Sequence, residues 1–425
     1  MRFSGSAFDR YLDDLCDALG HADRHEGLKG YCRGVMLPLE RKSVEPLAAH
    51  LDPRRVRALH QSLHHFVAKS EWSDAAVLAR ARAHVVAAMD PDERRYWIVD
   101  DTGFRKHGRH SVGVARQYCG EIGKQDNCQV AVSVSLATVS ASVPIAWRLY
   151  LPEEWALDRT RRAKAGVPEA VVFATKPQIA LEQLQEAKAT DVPQGVVLAD
   201  AGYGTNTAWR DALTAEGLNY VVGVISSLKI WPEGDQPLPA AYSGRGRPPV
   251  RRPRSADGEP LTVEQYAKSL DLRRYRSVTW REGSKQALTS RFAAVRVHAA
   301  HGDHVRSAEW LLVEWPSRAD EPRKYFLSNL PETTTLRRLV EDCKARWRIE
   351  RDYQDLKQEF GLDHYEGRGW RGFHHHATLC IAAYAFLVAQ RLAGRRQKKP
   401  SDSPRPRLPR GYRARGAPAR ATSRA

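Results

Sequence analysis

Two short apolar runs in this chain stop at carboxylates. YWIVDD (96–101) is followed by Thr102-Gly103, and QGVVLAD (194–200) by Ala201-Gly202. Their length and β-branched content suit buried strands better than helices. Around them, NCQVAVSVSLA (127–137) alternates in strand fashion and SVPIAWRLYL (142–151) reads as a further strand. KPQIALEQLQEA (176–187) has helical spacing, NTAWRDALTAEG (206–217) is helical with a glycine stop, and LNYVVGV (218–224) is another strand. Three strands, helix, strand, helix, strand predicts an α/β fold around a central, mostly buried sheet.

The flanks have a different texture. In residues 1–90, FDRYLDDLCDAL, VRALHQSLHHFVAKS and DAAVLARARAHVVAAM carry helical spacing, and LPLERKSVEPLAAHL reads as a helix with a break at Pro46. This helical N-terminal domain suits DNA-end binding and core packing equally. The first part of the α/β core is expected at 91–224. Over 225–333 the alternation stops: an exposed basic linker (KIWPEGDQPLPAAYSGRGRPPVRRPRS) precedes a helical piece and the strand-like RSVTWREG, RFAAVRVHAA, EWLLVEWP and KYFLSNL, a β-rich insertion. Helix returns over 334–362 and again in HHHATLCIAAYAFLVAQRL, closing the core at 334–393.

No apolar run opens the chain, so a signal peptide is not expected. The apolar stretch LCIAAYAFLVA (379–389) reads as a buried helix. Six cysteines without a CxxC pair fit reduced thiols and exclude a disulfide framework or zinc ribbon. The net charge of +17 points to a polyanionic partner, but +10 of it falls in residues 394–425, with eleven Arg and Lys against one Asp. That Pro- and Arg-rich tail cannot bury enough apolar surface to offset its ordering entropy, and disorder is expected.

In open α/β sheets, sites form beyond the carboxyl ends of strands. Two carboxylates from neighbouring strand ends would concentrate negative charge there, and a hard divalent cation is the natural counter-ion. Two such ions, roughly 3.5–4 Å apart, serve in-line phosphoryl transfer. A single Asp would as readily cap the turn that follows it; the matched pair raises the site reading to equal standing. Asp100 and Asp101 point to opposite faces of an extended strand, so at most one is expected to join Asp200, and the geometry does not choose. In RWRIERDYQDLK (346–357), Arg346, Glu350, Tyr353 and Lys357 share one helical face. On its own this stripe is an ordinary surface ion pair, worth under ~1 kcal/mol.

Together, D-T-G-F at 101–104, V-L-A-D-A-G-Y-G at 197–204 and R-W-R-I-E followed six residues later by Lys357 resemble the DDE transposases of bacterial insertion sequences. The nearest branch is the insertion sequence 701 family, related to the Tyr–Arg–Glu–Lys signature group. HSVGVARQYCG, NCQVAVSVSLA, WRLYLPEEW and KQEFGLDHYEGRGWRGFHHHATL extend the resemblance across about residues 1–390. It implies an RNase H-like catalytic core with a β-rich insertion before the last catalytic helix. Asp101, Asp200 and Glu350 would be the metal-binding triad, with two Mg²⁺ or Mn²⁺ ions, and Arg346 and Lys357 would contact DNA. The signature tyrosine falls at Cys343.

The implied reaction cuts phosphodiester bonds at insertion-sequence ends and joins the 3′-hydroxyl to target DNA. Implied partners are terminal inverted repeats, target DNA and further copies of the chain, in a bacterial cytoplasm near the nucleoid. A nuclease without strand transfer and an inactive DNA-binding derivative are the alternatives. His374, His375 and His376 diverge along a helix and cannot share one metal. No GxxxxGK[ST] accompanies Gly202 and Gly204.

Overall fold

A computed structural model describes residues 5–190, 192–235, 244–247, 259–282, 287–301 and 306–398. The linker expectation falls largely outside these residues, as does the tail beyond 398. Helices α1 (Gly5–Cys16), α2 (His25–Val35), α3 (Val44–Leu51), α4 (Val56–Ala68) and α5 (Asp74–Ala88) come first. Then follow β1 (Tyr96–Arg105), β2 (Ala115–Cys119), β3 (Lys124–Ala137) and β4 (Ser142–Leu149), and helices α6 (Glu153–Leu157), α7 (Arg159–Ala165) and α8 (Lys176–Ala189). The core continues through β5 (Val196–Ala199), the single turn α9 (Ala201–Gly204), α10 (Thr207–Ala215) and β6 (Tyr220–Val224). Next are β7 (Lys229–Pro232), β8 (Leu261–Thr262), α11 (Val263–Ser269), β9 (Arg276–Glu282), β10 (Ala287–Ala299), β11 (Ala308–Trp315) and β12 (Lys324–Ser328). Helices α12 (Leu336–Lys344), α13 (Trp347–Phe360) and α14 (Trp370–Lys398) complete the chain.

The strands β4, β3, β1, β5 and β6 lie side by side in that order. β3 runs antiparallel to β1, whereas β1, β5 and β6 are parallel. This is the mixed, helix-flanked sheet of an RNase H-like core, the fold class expected from the sequence. The β-rich insertion extends the same sheet: β12 pairs antiparallel with β6, and β11, β10 and β7 follow. It keeps an apolar centre of its own, around Ile230, Val295, Val297, Leu311 and Leu327.

Two local expectations are corrected. Pro46 does not break a helix; it occupies the first turn of α3, where no backbone N–H is required of it. The stretch 334–362 is two helices, with the chain turning at Ala345 and Arg346. Asp342, 0% exposed, accepts bonds from Arg94, Arg338 and the Tyr96 hydroxyl and so fastens the end of α12 before that turn.

By length and composition α14 would qualify as a membrane-crossing helix, yet it is the central core helix, with Leu379, Cys380, Ala382, Ala383, Ala385 and Phe386 all at 0–1% exposure. Helices α1, α2, α4 and α5 pack on it and belong to one continuous apolar core with the sheet. The Tyr11 hydroxyl donates to the Ala382 carbonyl across 371 residues of sequence. All six cysteines are buried free thiols, as expected.

The three histidines of α14 diverge into three structural contacts. His374 receives the Leu149 N–H on Nε2, and His375 stacks on Trp72 and bonds Asp74. His376 donates from Nε2 to the Gly361 carbonyl, which leaves Nδ1 to accept from the Tyr31 hydroxyl. Burial pushes the His376 imidazole down from 6.5 to about 4, with the Gly361 bond opposing. Its neutral form therefore contributes stability in full above pH 6.5, lost progressively as pH falls toward 4, by at most about 3 kcal/mol. Denaturant melts at pH 7.5 and 4.5 are expected to show a smaller stability difference for His376→Gln than for the parent. An equal difference in both would remove this histidine as its source.

Candidate active site

The parallel pairing of β1 with β5 covers only Tyr96–Ile98, while β3 stays paired with β1 as far as Arg105. From Val99 onward β1 thus outruns its parallel neighbour, and one edge is left free beside the end of β5. A cavity of about 680 Å³ opens there, lined by Asp100, Asp101, Lys176, Asp200, Tyr203, Arg346 and Glu350 among others. β1 runs four residues past Asp101 rather than stopping there, and Asp100 and Asp101 both line the cavity beside its free edge. This corrects the expectation that at most one of them joins Asp200.

Asp200 follows β5 directly and caps α9, its Oδ1 accepting from the Gly202 N–H at 2.9 Å. Both readings of this residue, cap and site carboxylate, therefore hold together. Gly204 closes the turn where a Cβ would lie 2.1 Å from the Gly223 carbonyl, so only glycine lets α9 sit this close to β6.

Glu350 stands in the first turn of α13, a favourable place for a carboxylate beside the helix dipole. The helix is pinned to the sheet from beneath. Tyr353 and Ser133 share a 2.8 Å hydroxyl bond, and Asp352 accepts from Ser135, Ser142 and Tyr384. Ser133 lies directly opposite Asp100 in the β1–β3 register, so Asp100 shares the face that meets α13. Arg346 exploits this: one nitrogen donates to Asp100 at 2.7 Å and another to Glu350 at 2.7 Å. Burial pushes the Asp100 carboxyl up to about 7, against the pull of Arg346 and with help from Asp200.

Asp101 is engaged from the other side. Lys176, in the first turn of α8, donates to it at 3.0 Å, and the Tyr203 hydroxyl at 3.3 Å. Lys357 folds inward onto the Gly103 carbonyl and Glu121, with its ammonium over the Phe104 ring. The cations expected at DNA, Arg346 and Lys357, are thus bonded here to protein carboxylates. Cys343, in the signature tyrosine's place, is a buried thiol donating to the Val340 carbonyl, and burial raises its pKa.

Sequence reasoning missed Asp100's anchoring role, Lys176 and Tyr203. Of these only Tyr203 carried a local signal, three residues past Asp200 on the same helical turn.

Among the described residues no three His, Cys, Asp or Glu side chains stand close enough together to hold an ion. Arg346 and Lys176 instead neutralise Asp100, Asp101 and Glu350. The donor set itself, hard carboxylate oxygens around one cavity, suits a divalent cation of the Mg²⁺ or Mn²⁺ type. Glu350, with a side chain 59% exposed, is held by Arg346.

Residues 14–287 match the family model of the DDE superfamily endonucleases, a span that includes Asp101 and Asp200 and stops before α13. The chain is 30% identical over 225 residues to a probable transposase for insertion sequence element IS701 from Microchaete diplosiphon. That match takes in 51% of this chain and 54% of the relative, so the chain spans about half the length of the curated protein it matches. Among solved structures, a cryo-EM piggyBac transposase synaptic complex with hairpin DNA aligns at TM-score 0.40 and 12% identity, over 89% of this chain and 68% of that one. By the family model, which covers well over half its residues, the chain belongs to the DDE superfamily of endonucleases.

Proposed function

We propose that this chain is a metal-dependent DNA transposase that cuts phosphodiester bonds at the ends of an insertion sequence and joins the freed 3′-hydroxyls to target DNA. The observation that carries this reading is the meeting of Asp101, Asp200 and Glu350, from three separate elements, at one cavity beside the end of β5. Asp101, Asp200 and Glu350 would hold two Mg²⁺ or Mn²⁺ ions, which when bound activate the attacking oxygen and stabilise the leaving one. Tyr203 orients Asp101 through its hydroxyl, and Asp100 holds Arg346 at the cleft. Arg346 and Lys357, released from their carboxylates, would exchange them for phosphate oxygens. The partners in this reading are terminal inverted repeats, target DNA and further copies of the chain, with the helical segment 1–90 available to the DNA ends and the bacterial nucleoid as the place of action.

The test uses duplexes carrying the inverted repeats that flank the reading frame, incubated with Mg²⁺, Mn²⁺ or a chelator. Metal-dependent 3′-hydroxyl ends and joined products are expected. Cleavage without joining would reduce the activity to that of a nuclease, and no cleavage with either ion would sink the reading.

A further inference from the structure

Three segments distant in sequence meet beside the catalytic cavity, and each brings exposed cations. The first, KHGRH at 106–110, continues directly from β1 and is exposed over His107–His110. The second is α7, RTRRAKA. The third is GRG at 367–369, ahead of α14.

Their adjacency is fixed by contacts. Arg161 of α7 donates to the Arg109 carbonyl at 3.5 Å, and the Val112 N–H donates to the Arg368 carbonyl at 3.0 Å. A Cβ at Gly369 would lie 3.5 Å from the Ala165 carbonyl, so the third segment also abuts the end of α7. The group reaches the cavity through Gly113, whose Cβ position is 3.0 Å from the carbonyl of Tyr150, itself a lining residue.

Arg109, Arg159, Lys164 and Arg368 are exposed, and none has an ion pair among the described residues. Arg161 lies over Trp155 at 3.8 Å, with Glu154 at 4.0 Å. Four unpaired cations from three segments form a ridge whose field favours a polyanion. Trp155 is 2% exposed beneath Arg161 and offers no open face there. An intact duplex carries a phosphate charge roughly every 1.7 Å of its axis, twice the density of a single strand, and so suits exposed cations spread over three segments.

We infer that the ridge of Arg109, Arg159, Lys164 and Arg368 binds the backbone of duplex DNA flanking the cut site. The inference rests on the DNA-cutting function proposed above and adds a surface to it. On this geometry the duplex lies along 106–110 and α7 as its strand enters the cavity at Asp101. Ridge contacts read no bases, so their contribution is the same for any sequence.

The test measures binding of the full chain, without divalent metal, to an arbitrary duplex of about 30 base pairs and to oligothymidylate of matching length, across a salt series. Each phosphate contact adds about 0.9 to the slope of log affinity against log salt. The triple variant R109A/R159A/R368A is expected to bind duplex at least about tenfold more weakly, with a slope shallower by about 2–3. The triple Arg→Lys variant is expected to restore the slope. All three side chains are exposed, and unchanged circular dichroism would verify that the fold is kept. Unchanged duplex affinity and slope, with the parent chain binding normally, would overturn the ridge and leave the proposed function standing. A loss confined to oligothymidylate would also overturn it. A parent chain that binds no duplex would overturn both.

Discussion

Glu350→Gln is expected to lower metal-dependent strand cleavage by at least about a thousandfold, the scale on which enzymes respond to loss of an essential charged group. Duplex affinity is expected to stay within a few fold. The side chain is more exposed than buried and, among the described residues, bonds Arg346 alone, so an isosteric amide leaves packing intact and removes one charge of the proposed triad. Single-turnover cleavage resolved on gels, beside fluorescence anisotropy for binding, checks both halves. Asp101→Asn is expected to match it. Asp100→Asn takes away the anchor of Arg346 while leaving the proposed triad whole, and a smaller loss of about 10–100-fold is expected, the size seen when an orienting partner is lost. Undiminished cleavage by Glu350→Gln would remove it from the triad. A larger loss at Asp100 than at Asp101 would exchange their roles.

Glu309→Ala is expected to destabilise the protein by about 3–5 kcal/mol, the usual cost of stripping one partner from a buried ion pair. Arg210 is 1% exposed, and its Nε donates to Glu309 at 3.2 Å while Nη1 donates to the Gly204 carbonyl at 2.6 Å. Glu309 also accepts the Tyr220 hydroxyl at 2.6 Å. Truncating Glu309 leaves an unpaired guanidinium and an orphaned phenol between α10 and β11. Because Arg210 also holds the carbonyl that ends α9, the turn carrying Asp200 should loosen, and cleavage should fall with stability. Denaturant or thermal melts test the first effect. The pair Glu309→Leu with Arg210→Met should recover much of it, since replacing both charges removes the uncompensated one. A loss under about 1 kcal/mol would show the pair to be solvated.

How far the sequence discloses this arrangement depends on the range of the interaction. The strands β1, β3, β4, β5 and β6 were legible because period and composition are local, and the aspartates that close the apolar runs of β1 and β5 marked the site. β2 was missed: ARQYC alternates for only five residues and its partner is β3, so tertiary pairing creates it. The turn at Ala345 and Arg346 was missed for a similar reason. No glycine or proline marks it, and Arg94 and Tyr96, some 250 positions upstream, hold the carboxylate that ends α12. The pairing of Lys176 with Asp101 and of Arg346 with Asp100 joins elements whose adjacency exists only once the sheet has formed. Cys343 shows the converse, since its mismatch with the signature was visible while its burial in α12 was not.

The position of α14 in the chain has a consequence for synthesis. Helices α1, α2, α4 and α5 bury apolar surface against α14, a helix translated long after them. They contact one another earlier, but the apolar faces they turn to α14 stay uncovered until residues 370–392 emerge, as does the face of β4 that packs on the same helix. Contacts this distant in sequence delay folding and leave apolar surface uncovered in the meantime. A chain cut short before α14 would lack the centre of its core, so nascent and prematurely terminated products should fall to chaperones and proteases. A cell would thus contain fully folded chains or rapidly cleared fragments, with few stable partial products between them.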